Sequence, residues 1–339
     1  MRRRSAVRQS MGVSALLLLV LFLMPLAVIV PFREELFAED TPIDEMETVP
    51  FVSGEKDGEI LLNVLNGETV EEMALGTYLL GVVRAEMPAS FEPEALKAQT
   101  VAARTYTLYQ LRSGGNHGDA ADICTDSTCC QAYLSKEQAW ENWGASAAGY
   151  EAKVEHAVMD TDGQVVLYGG APILAVFHSS SAGLTRAAGE VWLNDLPYLQ
   201  AVESPEDGEQ IPNYYSRVEW TAEEFRAAVQ AVWPDADLTG TMKTWLTDAE
   251  TDAAGSVVSL RVGGTQVKGS ALRSALGLRS ACFDWEVQDG KLVFFVTGHG
   301  HGVGLSQYGA NQMAEDGATY EEILTHYYSG VTVGPCPAG

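Results

Sequence analysis

Two prolines set the outline of this chain's most clearly patterned region. Pro88 and Pro93 stand five residues apart in "GVVRAEMPASFEPEALK". Proline has no backbone N–H to donate and pushes the residue before it out of the helical region, so no regular helix runs through both. Upstream the pattern is helical. Leu75, Leu79, Val82 and Val83 recur at spacings of three and four, and Glu86 continues their face. Downstream, Pro93 opens a second helix, "PEALKAQTVAARTYTLYQLR", which Gly114 and Gly115 close. One carboxylate, Glu86, is thus expected at the C-terminal end of an apolar helix. Burial beside Leu79, Val82 and Val83 disfavours its ionised form, and so does the partial negative charge of the helix end. A raised carboxyl pKa is what a general acid needs near neutral pH. Arg84, Lys97 and Arg104 act the other way if they approach. The plain alternative is a helix-terminal acid paired with an arginine.

The N-terminus bears on compartment. Arg2, Arg3, Arg4 and Arg8 precede an uncharged stretch from Gln9 to Phe32, and about 20 apolar residues suffice to span a bilayer as a helix. No A-x-A cleavage site follows, which favours an uncleaved anchor over a signal peptide. The expectation is a single-pass protein of the cell membrane with its C-terminal domain outside the cytoplasm. The net charge is −25, and setting aside the four arginines leaves −29 on the remainder. So acidic a surface excludes a nucleic-acid partner, which needs a basic stripe.

The expected organisation is a basic tail at 1–10, a transmembrane anchor at 11–32 and an acidic spacer at 33–58. A catalytic lobe follows at 59–205 and 286–335, with a second lobe at 206–285. Asn66-Gly67 and Asp289-Gly290 read as hairpin turns, and Thr221…Glu224 and Thr319…Glu322 as capping boxes opening helices. Strands and helices alternate irregularly. The fold class is therefore α+β, with a mixed sheet and packed helices around a groove in a bilobed exterior domain.

Three loops carry candidate chemistry. "HGDAADICTDSTCCQAY" offers His117, Cys124 and Cys130 as ligands for zinc in a structural role, or a disulfide in an oxidising compartment. A zinc hydrolase built there lacks an H-E-x-x-H helix. "FHSSSAG" follows a strand. His178 and Ser179 point to opposite sides of an extended chain, and the G-x-S-x-G elbow is absent, so His178, Ser179 and Ser181 read as sugar-binding groups rather than a nucleophilic pair. "GHGHGVGLSQYGA" is the most glycine-dense stretch and lacks the lysine of a phosphate loop. From it His301, Gln307 and Tyr308 are expected to line a glycan groove, with Tyr308 stacking on a sugar; a tight structural turn with buried histidines is the alternative.

"YLLGVVRAEMPASFEPEALKAQTVAARTYTL", "ICTDSTCCQAY", "VFHSSSAGLTRAAGEVW" with "LPYLQAVESP", and "GHGVGLSQYGANQMAEDGATYEEILTHYY" together resemble the stage II sporulation protein D family, cell-wall lytic transglycosylases of endospore formers. The resemblance implies that Glu86 is the catalytic acid, that Lys97, Gln99 and Arg104 join the loop residues in binding substrate, and that some relatives hold a metal near the cleft. Cys129 stands where many relatives carry His. The implied reaction cleaves the MurNAc–GlcNAc bond of peptidoglycan, preferably of glycan stripped of stem peptides. It needs one acid/base because the C6 hydroxyl of N-acetylmuramic acid attacks its own anomeric carbon, leaving a 1,6-anhydro end. The implied partners are a cell-wall amidase and a membrane scaffold of the engulfment machinery. Amidase enhancers share the motifs, so a wall-binding activator without chemistry of its own is the other reading.

Overall fold

The computed structural model describes residues 53–192 and 194–337. They form a mixed α+β fold of small sheets and packed helices, and two clusters of buried side chains organise it. The first is built on the helices Leu75–Glu86 and Pro93–Ser113. The second gathers Phe225, Val229, Trp245, Leu260, Leu272 and Phe294 beneath the sheets formed by Tyr215–Trp220, Phe283–Gln288 and Lys291–Thr297, and by Leu246–Thr251, Val257–Val262 and Thr265–Lys268.

The helix Leu75–Glu86 ends where Pro88 requires. Met87 is extended, and its N–H still reaches Val83 O at 3.3 Å. A tight turn then links Pro88 O to the N–H of Phe91 at 2.9 Å. Lys153, from the helix Ala147–Asp160, ties this turn down by donating to the carbonyls of Ser90 and Phe91. The helix Pro93–Ser113 is buried on almost every side from Ala95 to Leu108. Its buried hydroxyls Thr100, Thr105 and Thr107 each donate to the carbonyl four residues back, so they add no unsatisfied donor. Gly114 closes it in the left-handed conformation.

The glycine-dense loop is used for crossing chains. Gly300 has φ +117°, and a Cβ there would stand 2.6 Å from the Cβ of His178. His299 and Ser180 exchange backbone hydrogen bonds at 2.9 and 3.0 Å, and Leu305–Ser306 then pairs in parallel with Phe177–His178. The two polar loops thereby become one unit.

Two expectations are corrected. The tail at 1–10 and the anchor at 11–32 lie outside the described residues, and among the described residues no helix is long and apolar enough to cross a membrane. The 21-residue helix Pro93–Ser113 has the length but carries Glu94, Lys97, Arg104 and Arg112. Placement in the cell membrane therefore lacks structural support and is withdrawn. The second correction concerns the spacer at 33–58. Its last residues are folded: Glu55–Gly58 is helical, and Asp57 is buried against Arg104.

Candidate active site and cysteine cluster

Glu86 is the last residue of its helix and is partly buried. Its Oε1 accepts the N–H of Ala132 at 2.7 Å. Gly81 makes this contact possible. A Cβ at Gly81 would stand 2.0 Å from the Tyr133 ring, so only glycine lets that ring lie on the helix, and Gly81 O accepts the N–H of Leu134 at 3.0 Å. Burial raises the Glu86 pKa above its ordinary value, while donation from Ala132 and from the Gln307 side chain pulls it partly back.

No cation reaches this carboxyl among the described residues, because each candidate is engaged elsewhere. Arg84 pairs with Glu151, its Nε donating to Oε2 at 3.1 Å. Lys97 bridges Glu94 at 3.0 Å and Asp160 at 3.1 Å. Arg104 is fully buried and donates to Asp57, Thr161 Oγ1 and the carbonyls of Val158 and Gln164. Arg104 is thus corrected from substrate contact to core ion pair. Gln99 is corrected too: it is 0% exposed, and its Oε1 accepts from Gln307 Nε2 at 3.2 Å. It holds Gln307, whose side chain bears on the Glu86 carboxyl and lowers its pKa. Its own Nε2 has no partner.

Tyr308 does reach an open surface. It packs edge-on against Phe91, with ring centroids 4.9 Å apart, and both line a cleft of about 240 Å³ together with Ser90, Asp207, Ile211 and Asn311. The cleft lining takes in Ser90 and Phe91, four and five residues after Glu86, and Tyr308 and Asn311, just after Gln307, but neither Glu86 nor Gln307 itself.

His178 is structural. His178 is 4% exposed; its Nε2 meets Ser181 Oγ at 2.7 Å and its Nδ1 meets Val303 O at 3.2 Å. Burial lowers its pKa to about 4, so the ring is neutral. His301 accepts the N–H of Val303 at 3.0 Å, and burial, aided by His178, lowers its pKa to about 3. The His178–Ser181 pair is sealed from solvent and supplies no nucleophile. Ser179 contributes its carbonyl, which accepts the Tyr308 N–H at 3.0 Å.

The cysteine loop gathers four ligand atoms. Those of His117, Cys124, Cys129 and Cys130 all lie within 4.8 Å of one another. His117 Nε2 stands 3.6 Å from Cys129 Sγ and 3.5 Å from Cys130 Sγ, and the two sulfurs are 3.8 Å apart. All five cysteines are free thiols. The cluster can hold a metal, and Cys129, which the spacing of the other ligands did not require, is part of it. Burial is the main influence pushing the Cys130 thiol up, to about 12.

A family model described as Stage II sporulation protein matches residues 66–168. Stage II sporulation protein D of Bacillus amyloliquefaciens is 36% identical over 269 residues, covering 79% of this chain and 76% of the relative. That of Bacillus subtilis is 33% identical over 328 residues, covering 94% of each. This chain belongs to the stage II sporulation protein D family. An amidase enhancer of Bacillus subtilis is also similar, at 28% identity over 75% of this chain and 40% of the enhancer.

In this member of the stage II sporulation protein D family, the family-model match takes in Glu86, Ala132 and the cysteine cluster but stops short of both histidine loops. Sequence reasoning missed Glu206, which accepts the N–H of Ser181 at 2.7 Å and the hydroxyl of Ser306 and so clamps the two loops. Nothing in the periodicity around an exposed "SPEDGE" loop marks such a residue. Ala132 was equally illegible, since a backbone N–H leaves no trace in sequence.

Proposed function

We propose that this protein is a peptidoglycan lytic transglycosylase of sporulation, cleaving the MurNAc–GlcNAc bond with Glu86 as acid and then base. The observation that carries this reading is a carboxyl at a helix end, held without a counter-cation among the described residues and with its pKa raised by burial, four residues before the Ser90–Phe91 wall of an open cleft. Such a group protonates the glycosidic oxygen as the bond breaks. The carboxylate left behind then takes the proton of the muramic acid C6 hydroxyl as that oxygen closes on C1, giving a 1,6-anhydro end. No water is consumed, so the second carboxylate of ordinary glycosidases is not needed. Gln307 orients the carboxyl, Gln99 holds Gln307, and Tyr308 with Phe91 offers the glycan an aromatic wall.

Zinc fits the cysteine cluster. A tetrahedral zinc with Zn–S about 2.3 Å and Zn–N about 2.0 Å separates two sulfurs by roughly 3.8 Å and sulfur from nitrogen by roughly 3.5 Å. His117, Cys124, Cys129 and Cys130 would hold it. With four protein ligands it supplies folding energy rather than an activated water. It would fix the loop that delivers Ala132 to Glu86.

The deciding experiment is digestion of peptidoglycan glycan by the purified chain with mass spectrometry of the products. Anhydro-ended fragments from the wild type and none from Glu86→Gln support the proposal; ordinary reducing ends would make it a hydrolase. The similarity to an amidase enhancer favours a second reading, a wall-binding activator of a partner amidase. Under that reading Glu86→Gln still stimulates the amidase.

A further inference from the structure

Glu206 is a partly buried acid that the proposed chemistry leaves without a task. No arginine, lysine or histidine forms an ion pair with it among the described residues. Its Oε1 accepts the N–H of Ser181 at 2.7 Å and the hydroxyl of Ser306, while its Oε2 is buried without a partner. Ser306 caps the helix Gln307–Glu315, its Oγ accepting the N–H of Gly309 at 3.3 Å. Gly309 lets the carboxyl come this close, because a Cβ there would stand 3.3 Å from Glu206 Cδ and 2.1 Å from Tyr327 Oη. A carboxylate is favoured beside the positive end of a helix, and its bonds to an N–H and a hydroxyl are of the strong, charge-assisted kind. The first turn of that helix thus compensates the charge in place of a cation.

This placement joins parts of the site that lie far apart in sequence. The helix capped through Ser306 begins with Gln307, whose side chain bears on Glu86, and it continues with Tyr308 and Asn311 in the cleft lining. The residue after Glu206 is Asp207, which lines the same cleft with Gln210 and Ile211. One carboxyl therefore ties the loop 207–211 to the helix that carries Gln307, and its bond to Ser181 adds the loop of His178. A buried oxygen left without a partner costs free energy, so stability alone is a poor reason for an acid at this position.

We propose that Glu206 is a positioning residue for the acid: by holding Ser306 it seats the first turn of the helix Gln307–Glu315, so that Gln307 meets Glu86 and Tyr308 meets the cleft. Glu206 itself touches neither the glycan nor the reacting atoms. Its effect on rate rests on the transglycosylase reading, whereas its effect on Glu86 rests on geometry alone. Burial raises the Glu86 pKa, and two hydrogen-bonding groups, Ala132 and Gln307, pull it back; no charged group contributes. Loosening Gln307 should therefore raise that pKa further. A general acid acts in its protonated form, so the alkaline limb of the pH profile should move to higher pH.

The test is an NMR titration of the full chain, with glutamate isotopically labelled at its carboxyl carbon and the Glu86 signal assigned by its loss in Glu86→Gln. Glu206→Gln should raise the midpoint of the Glu86 titration, Gln307→Ala should raise it by a similar amount, and the double variant should raise it no further. With peptidoglycan glycan as substrate, Glu206→Gln should lower kcat about tenfold, the scale of one charge-assisted hydrogen bond. KM should change little, and the alkaline limb should move upward in step with the midpoint. Ser306→Ala removes the same link from its other end and should give the same shift; it decides the matter if Glu206→Gln does not fold. An unmoved Glu86 midpoint in either folded variant overturns the proposal, even where the melting temperature falls. So does a double variant whose shift is the sum of the single ones. If the wild type releases no anhydro ends yet the midpoints shift together, the transglycosylase reading fails and the positioning role stands.

Discussion

At Glu86 the position of one proton links activity to stability. The folded carboxyl binds its proton more tightly than the unfolded chain does, because burial penalises the charge. The sign follows. As pH rises from the ordinary glutamate range through the raised folded value, the native state has to ionise a buried group, and stability falls. Below both values the group is protonated in both states and the penalty is absent. Glu86→Gln should therefore lower product release by about 10²–10⁴-fold, while melting at or above the wild-type temperature at neutral pH. That thermal gain should shrink as pH is lowered, and calorimetry across pH checks it. A variant that melts lower at neutral pH would show that the carboxylate holds the fold together instead. Arg104 makes the opposite case. Arg104→Ala strands a fully buried Asp57 and should cost about 3–5 kcal/mol in denaturant unfolding, with little of the loss recovered by substrate.

Among the elements, the segment 131–134 determines whether Glu86 works, because it brings in the Ala132 N–H. Gly81→Ala drives a methyl into the Tyr133 ring and should cost about 1–3 kcal/mol as an overpacking change. Activity should fall beyond what that thermal loss explains, since the donor to Glu86 moves with the ring; activity measured well below the melting temperature separates the two effects. The same segment leaves the cysteine cluster. Removing zinc with a chelator should lower the melting temperature, and Cys129→Ser should bind zinc more weakly in equilibrium dialysis. These elements also mark what sequence could convey. Pro88, Pro93 and Gly114 set the helix limits because their backbone rules are local, and the boxes Thr221–Glu224 and Thr319–Glu322 formed as read. Gly67-Glu68, one residue past the expected Asn66-Gly67, and Asp289-Gly290 turn their hairpins for the same reason. Arg104, Gln99 and His178 were misassigned because burial and partnership are set by distant segments: Asp57 is 47 residues from Arg104, and Gln307 is 208 from Gln99. Polar residues in a loop look alike in sequence whether they face sugar or each other.

At the scale of the whole molecule, the two buried clusters are joined by a pair that sequence gave no reason to connect. Arg186 belongs with the polar loops, its backbone bridged to Val303, while Asp252 ends the strand pair of Leu246–Thr251 and Val257–Val262. Their ion pair is only 4% and 0% exposed. Asp252 also accepts the N–H of Ser256 at 2.9 Å, so its carboxylate is held within its own turn as well as by the arginine. Removing one member of a buried pair leaves an uncompensated charge, which costs about 3–5 kcal/mol, whereas replacing both by apolar groups of similar size is often neutral. Asp252→Ala should therefore destabilise the protein by that amount and split its calorimetric transition in two, as each core unfolds on its own. Arg186→Met with Asp252→Leu should restore a single transition near the wild-type temperature. If the single substitution lowers the melting temperature yet leaves one sharp transition, the cores are coupled by the loop crossing at Gly300, and the ion pair is only a local stabiliser.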